Sequence, residues 1–157
     1  ASAVGEVNVT TKMKETGALI GGEGNGGVIF PALHYGRDAM VGVALFLSNL
    51  AQKKLKASEL KKTYPEYHIA KGKIQLSDSK MIDRILEEMK DAFRNERIDT
   101  TDGVKVDFEA ARKWVHLRRS NTEPVIRIYS EAPTVAEAEA LAREVTDLAN
   151  RMIAQQG

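Results

Sequence analysis

The sequence has no cysteine. That excludes a disulfide scaffold, thiol catalysis and cysteine-based zinc sites. It also lacks any apolar run near the roughly 18–20 residues a bilayer span requires, and no leader pattern stands at its start. Charge of one sign is missing too: 23 basic residues face 22 acidic ones. A formal net charge of +1 sets up no global field towards nucleic acid or a membrane. A local anion site remains open, since it needs only a few cations. The three histidines, His34, His68 and His116, have no metal-ligand spacing, and no pair of carboxylates is marked for acid–base work. The expectation is a cytoplasmic protein with no metal site of its own and neither nucleic acid nor membrane as partner.

What is present is 157 residues, 43% of them hydrophobic, enough for one ordinary domain or two small ones. Residues 7–16 predict a short helix closed by Gly17. The apolar runs 18–20 and 28–30 read as strands on either side of a glycine stretch. Asp38 can cap a helix in which Met40, Val43, Ala44, Leu47 and Leu50 form a stripe to be buried. Residues 52–73 are Lys-rich, polar and carry Pro65, which reads as a linker or peripheral crossing.

The second part opens with a strand at 73–76. Ser77, Asp78 and Ser79 are N-cap candidates for a helix whose inner face is Ile82, Ile85, Leu86, Met89 and Phe93. Residues 97–108 predict a hairpin turning at Thr101, Asp102 and Gly103. Strands follow at 114–118 and 125–132. Thr134 to Glu137 is a capping box for a last helix with Ala138, Leu141, Val145, Leu148 and Met152 inward. The pattern β-α-β-β-β-α predicts an α+β layer, an antiparallel sheet with two helices on one face.

Two loops can carry chemistry. In "RRSNTEP" (118–124), strand alternation puts Val115 and Leu117 on the core side and Trp114, His116 and Arg118 on the other. Arg118 then stands beside a turn with the hydroxyls of Ser120 and Thr122 and the amide of Asn121. A guanidinium fork with several neutral donors suits a phosphate; a plain surface turn uses the same residues. In "LIGGEGNGGVIFP" (19–31), the letters G-x-G-x-x-G occur at Gly22, Gly24 and Gly27. A strand run follows instead of a phosphate-facing helix, so a dinucleotide site is excluded. Glu23 and Asn25 suit polyol hydroxyls, with Gly24 between them letting a ligand approach the backbone. A solvent-facing hairpin tip is the alternative. Tyr35 nearby and Arg119 are left without a role.

"GGEGNGG" followed about ninety residues later by "RRSNTEPVIRIYSEA" resembles the C-terminal half of the α-D-phosphohexomutases: phosphomannomutase, phosphoglucomutase and phosphoglucosamine mutase. The lead-in "VGEVNVTTKMKETGAL" and "GRDA" (36–39) resemble it as well. The resemblance implies that residues 1–55 are the later part of a third, α/β-type domain and 56–157 a fourth domain. It implies that Glu23, Asn25 and Gly24 meet sugar hydroxyls. Arg118, Ser120, Asn121 and Thr122 would hold the phosphate of a hexose phosphate that is not being transferred.

The family reaction moves phosphate between the 1- and 6-positions through a phosphoserine, a Mg²⁺-bound Asp loop and a bisphosphorylated hexose. No Ser-His-Asn loop and no Asp-x-Asp-x-Asp segment occur here. The expectation is therefore an inactive C-terminal fragment with no catalytic residue, cut near Ala1. Apolar surface left bare would favour self-association. The hexose is not specified by the sequence. A non-enzymatic α+β interaction module is the reading from another class.

Overall fold

The computed structural model describes residues 1–76, 80–120 and 123–155. The N-cap candidates Ser77, Asp78 and Ser79 and the phosphate-loop candidates Asn121 and Thr122 lie outside the described residues. The chain forms two compact units, Ala1–Pro65 and Glu66–Gly157.

In the first unit, helix α1 (Glu6–Thr16) ends at Gly17 in the left-handed region. Its Val9 and Met13 pack on Ile29 in a small core. Strands β1 (Gly21–Gly22), β2 (Val28–Phe30) and β3 (His34–Arg37) form an antiparallel sheet in that order. The strand expected at 18–20 does not form, and Leu19 is 84% exposed. Pairing falls on the glycines instead, Gly21 with Ile29 and Gly22 with Val28. The two arms close so tightly that a Cβ on Gly22 would lie 2.3 Å from the Gly27 carbonyl oxygen. Only glycine permits that approach.

Helix α2 (Ala39–Lys53) starts where the Asp38 carboxylate accepts from the Val41 N–H at 3.0 Å. The expected buried stripe is a correction. Met40, Val43, Ala44 and Leu47 are exposed, Leu50 is half-buried, and Val41 is the buried residue of this helix. Periodicity identifies an apolar face but does not supply the layer that covers it. The stretch expected to be a linker holds a short helix, α3 (Ala57–Lys61), and the first residues of strand β4 (His68–Gln75), which starts five residues before the expected strand.

The second unit continues with α4 (Lys80–Ala92), β5 (Arg97–Asp99), β6 (Val104–Phe108), a 3₁₀ turn, β7 (Lys113–Arg119), β8 (Val125–Ala132) and α5 (Val135–Ala154). Its five strands are antiparallel in the order β4-β8-β7-β6-β5. Four strands lie between the helices, because both arms of the 97–108 hairpin pair. One face is apolar: Val104, Leu117 and Ile128 stand in register, as do Val106 and Val115. They form a single core with Ile82, Ile85 and Met89 of α4 and with Leu141, Val145 and Ala149 of α5. The expected inner faces of both helices therefore hold, with Leu86, Phe93, Leu148 and Met152 partly buried at the margin. The buried Ser130 hydroxyl donates to the Ala138 carbonyl at 2.7 Å and ties β8 to α5. Thr134 caps α5 by accepting from the Glu137 N–H, and its hydroxyl donates to the Glu137 carboxylate.

The turn between β5 and β6 lies directly on β7. Gly103 has φ +80°, and a Cβ there would sit 2.2 Å from the Leu117 carbonyl oxygen. Gly103→Ala is expected to destabilise the second unit by about 2–4 kcal/mol, from the left-handed backbone and the overlap together. A shift of the urea midpoint monitored at Trp114 checks it; an unchanged midpoint would refute it. A second expectation concerns acid. The Val41 N–H, with His34 adding to it, holds the Asp38 carboxyl below its ordinary range. Its support of α2 is then complete above about pH 4, the unfolded carboxylate value, and is lost as pH falls through the lower folded value. Asp38→Asn keeps a cap but does not titrate, so acid should remove less helicity from the variant than from the parent by circular dichroism.

Candidate functional site

The glycine hairpin belongs to the first unit. Its tip is closed by the Glu23 N–H donating to Gly27 and the Gly26 N–H donating to Glu23. Gly26, at φ +92°, makes the turn possible. The exposed Asn25 side chain is folded back, its Oδ1 accepting from the Gly27 N–H at 3.0 Å, which leaves the two N–H groups of its amide nitrogen for other acceptors. Gly24 has nothing within 4 Å of where a Cβ would stand. Glu23 is half-buried, and its Oε1 accepts from the Gly5 N–H at 3.0 Å. The carboxylate thus holds the start of α1 with one oxygen and has its second oxygen left for another donor. Beside the hairpin, Arg37 is bound by Glu6 at 2.9 Å, and Lys14 lies 4.8 Å from the centre of the Tyr35 ring.

The basic turn belongs to the second unit, on the sheet face that the helices leave open. Arg118 is half-buried and its Nε lies 2.9 Å from the Asp102 carboxylate. The contact is an ion pair by distance, but the buried Nε–H is not aligned for a hydrogen bond. The Asp102 carbonyl also meets His116 Nε2, so the β5–β6 turn is clasped at two points of β7. Ser120 is buried, and its N–H donates to the Val125 carbonyl at 2.9 Å. The Pro124 carbonyl accepts from Leu76 at the end of β4. These bonds fix the base of the turn. Arg119 faces the other way and meets Asp83 of α4 at 3.3 Å, which accounts for it.

Sequence reasoning missed the neighbours of Arg118. Arg127 is its direct register partner on β8, and Lys73 of β4 is the register partner of Arg127 on the other side. All three alternate with core residues and so share the open face. Like charges set directly opposite one another repel. Asp102 offsets one of the three, and among the described residues neither Arg127 nor Lys73 makes an ion pair. Alternation in "VIRIYSEA" could have placed Arg127 outward, but its register against Arg118 cannot be read from either strand alone.

The rest of the open face is balanced. A shallow hollow of about 500 Å³ lies at its far end, lined by Tyr67, Arg97, Lys105, Phe108, Trp114 and Glu131 among others. Its acidic side chains are all engaged, Glu109 with Arg97, Asp107 with Lys105, and Glu131 with the Trp114 N–H at 2.9 Å, while Arg112 and Lys113 add two cations to the lining. None of the expected site residues among the described ones lines it. The histidines have local partners: His34 meets Asp38, His68 lies 3.8 Å from Glu66, and His116 meets the turn. Among the described residues no group of three or more acidic or histidine side chains is placed to hold a metal ion, so Mg²⁺ finds no fit there.

Comparison with known proteins gives one family throughout. Residues 1–67 match the family model described as phosphoglucomutase/phosphomannomutase, alpha/beta/alpha domain III, and residues 73–148 match that of the C-terminal domain. A phosphoglucomutase/phosphomannomutase of Thermococcus kodakarensis is 38% identical, covering 96% of this chain and 32% of that protein. A phosphoglucosamine/phosphogalactosamine mutase of Sulfurisphaera tokodaii is 34% identical, over 90% of this chain and 31% of its own length. The crystal structure of a phosphoglucomutase/phosphomannomutase family protein from Burkholderia thailandensis superposes with a TM-score of 0.68 at 26% identity, covering 94% of this chain and 32% of that one. The chain spans about a third of the curated relatives it matches. With two successive family domains accounting for nearly all of its residues and an α+β fold shared with a solved member, this chain belongs to the phosphoglucomutase/phosphomannomutase family.

Proposed function

We propose that this chain is the substrate-holding C-terminal part of a phosphohexomutase. The observation that carries the reading is the pairing of Arg118 with Arg127 across β7 and β8, beside a turn fixed at its base. Two guanidinium groups in register cost repulsion in the absence of an anion and gain charge-assisted hydrogen bonds in its presence. Arg118 can keep its Nε towards Asp102 and offer its terminal N–H groups to a phosphate, because the fork has five donors. Ser120, Asn121 and Thr122 would add neutral donors. In the first unit, the second oxygen of Glu23 and the amide N–H groups of Asn25 would meet sugar hydroxyls at the open backbone of Gly24.

In this reading residues 1–55 are the end of a third domain and 56–157 a fourth. The whole enzyme would transfer phosphate between the 1- and 6-positions of a cytoplasmic hexose phosphate. Phosphoryl transfer is mostly a matter of positioning and charge stabilisation, and this chain supplies the positioning. The phosphoserine and the Mg²⁺ site would belong to residues beyond it, and a bisphosphorylated hexose would be the intermediate. Glucose, mannose and glucosamine phosphates all fit what Glu23 and the basic row would recognise.

The test is titration of the chain with glucose 6-phosphate, followed by NMR. Arg118→Ala and Arg127→Ala should each weaken binding about tenfold or more, as charge-assisted hydrogen bonds are worth ~1.5–3 kcal/mol. Unchanged affinity in both variants would overturn the reading. The bare face of α2, with Met40 76% and Phe46 43% exposed, adds a further expectation. Contiguous apolar surface of this kind favours association, so the sedimentation coefficient should rise with concentration. Phe46→Glu should suppress the rise; a monomer at every concentration would refute self-association. That face is also the one observation a non-enzymatic interaction module could claim, and such a module would leave the glucose 6-phosphate titration silent.

A further inference from the structure

We propose that Lys73, on the edge strand β4, is a third phosphate-binding residue and sets a preference for a doubly charged ester. The inference rests on the phosphosugar reading above. Lys73 stands opposite Arg127, which stands opposite Arg118, so three cations cross three adjacent strands in one row. Adjacent strands lie about 4.8 Å apart, so the outer two are about 10 Å apart at their Cα atoms with Arg127 midway. Half of that gap is shorter than either side chain, so all three can converge on one group above Arg127.

The composition of the row is what separates it from the rest of the face. The next row, Lys71, Tyr129, His116, Lys105 and Asp99, mixes signs and neutral rings. The row after it, Ile69, Glu131, Trp114, Asp107 and Arg97, carries two acids and one base beside an isoleucine and a tryptophan. Only the row beside the 120–124 turn is uniformly basic. Asp102, at the Arg118 end, is the carboxylate that meets it. Three cations less one carboxylate leave two positive charges, which matches a phosphate monoester above its second pKa of about 6.

A lysine on an edge strand also has a duller use, since it discourages pairing with another sheet. Lys71 lies two residues away on the same strand and face, and serves that use equally well. The two lysines therefore separate a site from a guarded edge. The experiment titrates the 157-residue chain with glucose 6-phosphate, a dianion, and with glucose 6-sulfate, a monoanion of the same shape. Lys73→Gln should weaken the phosphate ester about three- to fivefold, within what an exposed ion pair can supply, and the sulfate ester less than about twofold. Lys71→Gln should leave both within about twofold. Equal effects of the two variants, or no effect of Lys73→Gln while Arg118→Ala still weakens binding, would overturn the role of Lys73 and leave the phosphosugar reading standing. A parent chain that binds neither ester would overturn both.

Discussion

The second unit depends on the register of its five strands. Side chains alternate across a sheet with a period of two, so fixing one face fixes the other. Val104, Leu117 and Ile128 are held in line by burial under α4 and α5. The same register then aligns Arg118, Arg127 and Lys73 on the face that no helix covers. A slip of one residue in β8 would bury Arg127 and expose Ile128, at the cost of both a core contact and a buried charge. The stability of the core and the geometry of the basic row are thus one constraint.

The turn between β5 and β6 serves both sides of that arrangement. Gly103 lets its backbone touch β7, and Asp102 meets Arg118 and His116 from there. A guanidinium on an exposed strand end ordinarily samples many rotamers. Held at its Nε side, Arg118 would give up less of that freedom to any anion it met.

The α+β architecture, the inner faces of α4 and α5 and the caps at Asp38 and Thr134 were legible in the sequence, because each rests on spacing within one element. So were the outward direction of Arg118 and the closure of α1 at Gly17. Arg127 and Lys73 were not, since their significance lies in which residue of another strand they oppose. The hairpin failed for a different reason. Leu19 and Ile20 look like a strand, but the glycines close more tightly and take the pairing. The bare stripe of α2 failed because a single chain's pattern does not state where its covering layer comes from. The phosphate-loop expectation for Asn121 and Thr122 rests on the motif alone.

The hydrogen bond from Gly5 to Glu23 couples the hairpin to a distant point in the sequence. Gly5 is the N-cap of α1, and its carbonyl accepts the first helical bond, from Val9. A hydroxyl that took over Oε1 of Glu23 would release that N–H and loosen the first turn. One that used the other oxygen would leave the helix start intact and add to its hold. The amide of Gly5 is therefore a built-in reporter: its protection from solvent exchange would distinguish, in a single position, which oxygen of Glu23 a bound hydroxyl had engaged, were one to bind there.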